Sequence, residues 1–199
     1  MSKLLFNEES HIYTMGGVQL PSVTSIIGKV GLQGDTKWYT KSATNRGTQV
    51  HNMLEFYDEE TLDESNLDPQ LVPYLDGWKK FLDEVQPRFI DIEKPIHHPT
   101  LNYAGKIDRF GLIGGEPYII EIKTGQQAKW HPIQTAAYKE PYRLNSTDPG
   151  KRIKRVAVYL TNKAKYKLVP HEKDTDDFAV FVNALRVYRW IETNLGGKK

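Results

Sequence analysis

Asp108, Glu121 and Lys123 fall within one stretch of 23 residues, YAGKIDRFGLIGGEPYIIEIKTG, at positions 103–125. Two runs with strand character flank the turn-rich segment GLIGGEP. Pairing of the two runs sets the Asp108 and Glu121 carboxylates side by side. Glu121 and Lys123 are two residues apart on one strand, so they share a face. The strand YIIEIKTG is otherwise apolar, and a charge buried there requires a partner. Two adjacent carboxylates repel, and one takes up a proton unless a cation lies between them. A divalent ion that prefers hard oxygen ligands, Mg²⁺ or Mn²⁺, meets that need. A lysine beside it is pushed towards its neutral form and can orient or deprotonate a metal-bound water. The same spacing also suits a surface ion-pair ladder that does no chemistry.

Two further segments bear on the choice. RGTQVHNMLEF, residues 46–56, puts Gly47, His51 and Glu55 at intervals of four on a helix, off the line of Val50, Met53 and Leu54. WHPIQTAAYKEPY, residues 130–142, puts Gln134 and Tyr138 one turn apart on the helix after the E-x-K strand. The ordered set G-T-x-V-H, G-K-I-D-R, E-I-K-T-G and Q-T-A-A-Y resembles the PD-(D/E)XK nucleases, and within them the RecB-like exonuclease branch. LPSVTSII ahead of RGTQVH is similar to the start of the nuclease region in that branch's small phage, bacterial and mitochondrial members. The resemblance runs from about His11 to Tyr138.

The resemblance implies a restriction-endonuclease-like fold and hydrolysis of DNA phosphodiesters with Mg²⁺ or Mn²⁺. It assigns Asp108, Glu121, the Ile122 carbonyl and His51 as metal ligands. Lys123 becomes the residue that activates water, and Gln134 and Tyr138 a pair set against the site. It also implies a 5′-phosphate product, DNA as substrate through single strands or duplex ends, and a role in recombination, repair or phage DNA metabolism. A helicase, annealing or single-strand-binding protein is the expected kind of partner. An endonuclease on the same fold and a DNA-binding module with a relic site are the alternatives. Ile107 stands where the superfamily often has proline, and the absence of cysteine excludes the iron–sulfur staple of some relatives.

Further candidates surround these motifs. Glu55 is placed to orient His51. Glu93, in FIDIEKPI, is placed to reach the site from the preceding strand. Arg46, Lys106 and Arg109 are candidate phosphate contacts. Trp38, with Tyr39, is a candidate stacking platform for bases or a piece of core. Lys151–Lys167 carries seven basic residues and no acid, against seven acids and no base over Glu55–Asp68. The basic run reads either as a phosphate track or as the outer face of an edge strand.

The elements that must position these residues are expected in the order hairpin, helices, three strands, helix, two strands, helix. The hairpin covers 11–22, a helical segment 36–86, the sheet with its helix 88–170, and a closing helix 174–194. Asp68 reads as an N-cap with Pro69 opening the helix that carries Leu71, Leu75, Trp78, Leu82 and Val85. Phe178, Phe181, Leu185 and Tyr188 form one stripe on the last helix. The expected class is a single α/β or α+β domain with a central mixed sheet flanked by helices. The length of 199 residues suits one domain, and 39% hydrophobic with 26% charged residues excludes a disordered chain. No apolar run is long enough to span a membrane. MSKLLFNEES lacks the features of a secretory or transit peptide, so a cytoplasmic setting is expected.

Overall fold

The computed structural model describes residues 3–34, 41–147, 150 and 152–196. A small antiparallel sheet comes first, from β1 (Leu4–Asn7), β2 (Ile12–Met15) and β3 (Val18–Leu20). The expected hairpin is β2–β3; β1 adds a strand that the sequence reading omits, paired along its length with β2. Helix α1 (Val23–Lys29) follows, capped by the Ser22 hydroxyl, which accepts from the Ser25 N–H.

Helix α2 (Lys41–Asp58) buries Val50, Met53 and Leu54 along one stripe. The earlier part of the segment expected to be helical, with Trp38 and Tyr39, lies outside the described residues. Helix α3 (Val72–Val85) begins later than expected. Asp68 closes a turn instead, its carboxylate accepting from the Gln70 N–H, and Pro73 rather than Pro69 occupies the first helical turn. Gln86, at φ 50°, ends the helix ahead of Pro87. The buried stripe centres on Tyr74, Leu75, Trp78 and Phe81.

The main sheet has five strands in the order β4 (Arg88–His97), β5 (Ala104–Ile113), β6 (Glu116–Lys123), β7 (Lys154–Thr161), β8 (Lys165–Pro170). Strands β4, β5 and β6 are antiparallel neighbours. Gly114 and Gly115, both at positive φ, make the two-residue turn between β5 and β6 that opens the site's hairpin. Helix α4 (His131–Leu144) carries the chain across to β7, which is parallel to β6, and β8 returns antiparallel. Helix α5 (Asp174–Asn194) closes the chain, burying Phe181 and Leu185 with Phe178 and Tyr188 packed against them.

Each sheet face has its own core. Helices α2 and α3 cover one, through Leu54, Trp78 and Phe81 against Ile120, Ile122, Val156 and Val158. Helices α1, α4 and α5 cover the other, through Ile26, Ala137 and Phe181 against Ile119 and Phe110. The result is a single α+β domain with a mixed sheet between helices. The basic run does not form an edge as a unit: β7 is interior and β8 is the edge. Arg155, within that run, is fully buried and paired with Asp174 and Asp177 of α5.

Candidate metal centre

The β5–β6 ladder stops at Arg109–Ile120. One residue further, the Asp108 carboxylate takes the place of the backbone, its Oδ2 accepting from the Ile122 N–H at 2.6 Å. In an extended strand a residue's N–H and C=O point to the same side, so the Ile122 carbonyl also faces β5. The strands part here, and the buried Asp108 carboxylate fills the cleft between them, with the Glu121 charge acting on the same place.

The other side of Asp108 is bounded by β4. Its pairing with β5 continues from Asp91 to His97 but omits Glu93, which lies in the left-handed region at φ 45°. Such a conformation costs a non-glycine residue about 1–3 kcal/mol and persists only where its surroundings hold it. Here the holding groups are cations. Arg109 NH1 is 3.0 Å from Glu93 Oε1, and Lys106 Nζ is 2.8 Å from Oε2.

Helix α2 supplies the third component. His51 Nδ1 lies 3.4 Å from Asp108 Oδ1 and 3.8 Å from Glu93 Oε1. One ligand atom from each of His51, Glu93 and Asp108 can be chosen so that all lie within 4.8 Å of one another. Burial works against charge on His51, but Asp108 and Glu93 outweigh it and raise its pKa to about 10. Asp108 is likewise opposed by burial, yet His51, Lys123 and the Ile122 N–H hold its carboxyl below the usual range. Glu121 is pushed up, by burial first and then by the Asp108 charge. Its Oε1 pairs with Lys123 Nζ at 2.7 Å, while Oε2 is buried with no hydrogen-bond partner among the described residues.

The residues named from sequence are thus distributed as follows. His51, Asp108, Glu121 and Lys123 are brought together, and Glu93, expected to reach the site from the preceding strand, joins His51 and Asp108 directly. Gln134 and Tyr138 are buried on α4, with Gln134 Nε2 donating to the Tyr138 hydroxyl at 3.0 Å. Burial and then the Glu121 charge raise the Tyr138 pKa. Gln134 Oε1, like Glu121 Oε2, has no partner among the described residues. Gly105 makes room for Tyr138, since a Cβ there would stand 2.5 Å from a ring carbon. That contact joins G-K-I-D to Q-T-A-A-Y physically.

Glu55, raised by burial and by Glu93, faces the acids and Lys106; the carboxylates on His51 are those of Asp108 and Glu93. Arg46 is half-buried near the start of α2, with Nε unpartnered among the described residues. Arg109 is not a phosphate contact. It is wholly buried on the face that α2 and α3 cover, against Trp78 and Phe89. Its Nε donates to Asp58 Oδ2 at 2.7 Å, and Asp58 Oδ1 accepts from Trp78 Nε1 at 2.8 Å. Arg109 NH1 also donates to the Asp108 carbonyl at 2.6 Å. One buried guanidinium thereby ties the C-terminal end of α2, and α3 through Asp58, to Glu93 and the Asp108 backbone.

Three groups at the site were not read from the sequence. Tyr13 of β2 is buried, its hydroxyl pKa raised by burial, Glu93 and Asp108. Trp130 lies against Lys123, whose Nζ is 5.4 Å from the ring centroid. His131 Nδ1 is 2.6 Å from the Tyr159 hydroxyl. The aromatic residues of HIYT and the WHP ahead of Q-T-A-A-Y are the signals that could have marked them.

The donor set fits a divalent cation. Two carboxylates and an imidazole converge, and a third carboxylate oxygen has no partner. No protein-family model matches the chain, and no curated protein does. Among solved structures, the chain is similar to a Eubacterium rectale protein provisionally named an exonuclease. The two are 13% identical, 88% of this chain and 78% of that one are covered, and the TM-score is 0.49. It is also similar to the alkaline exonuclease of Laribacter hongkongensis, at 17% identity, 85% of each chain and a TM-score of 0.38.

Proposed function

We propose that this protein is a metal-dependent DNA exonuclease that hydrolyses phosphodiester bonds. The observation that carries the reading is the convergence of His51, Glu93 and Asp108 beside the Glu121–Lys123 pair at the parting of β5 and β6. His51, Asp108, Glu93 and the free oxygen of Glu121 are the groups that would hold Mg²⁺ or Mn²⁺, with the Ile122 carbonyl facing the same cleft. The bound ion supplies Lewis acidity towards a phosphate oxygen and towards water. Lys123 is placed by its 2.7 Å bond to Glu121 and by the Trp130 ring. It orients the attacking water and balances charge that builds on the phosphate oxygens as the P–O bond breaks. The Gln134–Tyr138 pair backs Glu121 and helps to exclude bulk water from it. DNA entering by an end is the proposed substrate, with a 5′-phosphate on the product.

The test is digestion of oligonucleotides labelled at either end, single- and double-stranded, with Mg²⁺, Mn²⁺ or EDTA. The expected result is a metal-dependent ladder shortening from one end, with covalently closed circular DNA left intact. Nicking of the circle overturns the exonuclease reading in favour of an endonuclease. Binding without turnover in either metal leaves a DNA-binding module.

A further inference from the structure

Lys106 and Asp108 are two residues apart on β5, so both stand on the cleft face. Lys123 meets Glu121 on the β6 side of Asp108; Lys106 meets Glu93 on the β4 side. Its Nζ lies 2.8 Å from Glu93 Oε2 and 3.6 Å from Glu8 Oε1. Glu55, on α2 one turn beyond His51, acts on the same ammonium. The side chain is 21% exposed.

Hydrolases that use two ions hold them about 3.5–4 Å apart. In this protein the carboxylate oxygens on the β4 side of Asp108, Glu93 Oε2 and Glu8 Oε1, lie 2.8 Å and 3.6 Å from Lys106 Nζ, and the Glu55 charge acts on the same ammonium. The other oxygen of Glu93 faces His51 and Arg109. We infer that Lys106 is a resident cation that takes the place of a second divalent ion. The centre then holds one ion, and the two lysines bracket the substrate phosphate from its two sides. This rests on the metal reading above and deepens it by fixing the number of ions.

The experiment is a Mn²⁺ titration without DNA, following free ion by electron paramagnetic resonance and binding by calorimetry. The wild type is expected to bind one ion. Lys106→Met frees three acids and is expected to bind a second, weaker ion; Lys106→Arg, which keeps the charge, is expected to bind one. Circular dichroism checks the fold, and Lys106→Gln carries the same expectation as Lys106→Met if the latter does not fold. Two ions in the wild type, or one in the neutral variants, overturn the inference about Lys106. No ion bound by the wild type removes the metal reading beneath it, a result distinct from either.

Discussion

His51 has two opposed demands on it. Without metal, Asp108 and Glu93 keep it protonated, with a pKa raised to about 10. As a metal ligand it must be neutral, so binding has to expel that proton. Below about pH 10 each ion bound should release close to one proton, and affinity should rise roughly tenfold per pH unit. Calorimetry of Mn²⁺ binding at pH 8 in two buffers of different ionisation enthalpy measures the release directly. An enthalpy independent of buffer would place His51 outside the ligand set. The acids bear on this as well: Glu121 is raised by burial and by Asp108 and so can contribute to proton release below neutral pH.

Among the elements, the hairpin β5–β6 supplies Asp108, Glu121 and Lys123, but β4 and α2 complete the cluster. Arg109 is the strut between them. Asp58→Asn removes one of the two counter-charges of a wholly buried guanidinium, the other being Glu93. Breaking a buried ion pair outright costs about 3–5 kcal/mol, and with Glu93 still in place the loss falls below that. The variant should melt well below the wild type and, where still folded, bind Mn²⁺ roughly tenfold more weakly. Unchanged melting and metal affinity would reduce the Asp58–Arg109–Glu93 chain to an incidental contact. The sequence made the elements legible because periodicity and turn residues are local. The strand order around Asp108 and the 3.6-residue stripes of α2 and α5 could be read that way. It did not expose Arg109, because a basic residue beside a motif reads as solvent-facing unless the helices that cover it are known. Nor could it show the left-handed Glu93, which is held by groups on β5, or Asp58, whose partner lies 51 residues away. Pro69 misled because Asp-Pro opens turns as readily as helices.

At the scale of the whole molecule, the basic run reaches an exposed edge of the sheet. Register places Lys123 opposite Tyr159 and Tyr159 opposite Lys167, so one row leads from the cleft to the exposed edge. Two strand spacings amount to about 10 Å. Lys165 and Lys167 are exposed there, whereas the acidic stretch before α3 is remote from this row in sequence and pairs with Lys79. The basic run is thus part core, through Arg155, and part edge, through Lys165 and Lys167. Lys167→Glu should weaken binding of single-stranded DNA and lower the slope of log affinity against log salt by roughly 0.7. Turnover at saturating DNA should stay near that of the wild type. A salt slope unchanged by the substitution would take the DNA path away from this edge. No helix of the described residues is long and apolar enough to cross a membrane.

The central claim is that the Asp108 cleft hydrolyses DNA with Lys123 at the reacting phosphate, and Lys123→Ala tests it most directly. Cleavage of an end-labelled strand in Mn²⁺ is measured beside DNA affinity and the melting curve. Loss of cleavage by roughly a hundredfold or more is predicted, with affinity and melting close to wild type. Cleavage at the wild-type rate by a folded Lys123→Ala protein would contradict the account.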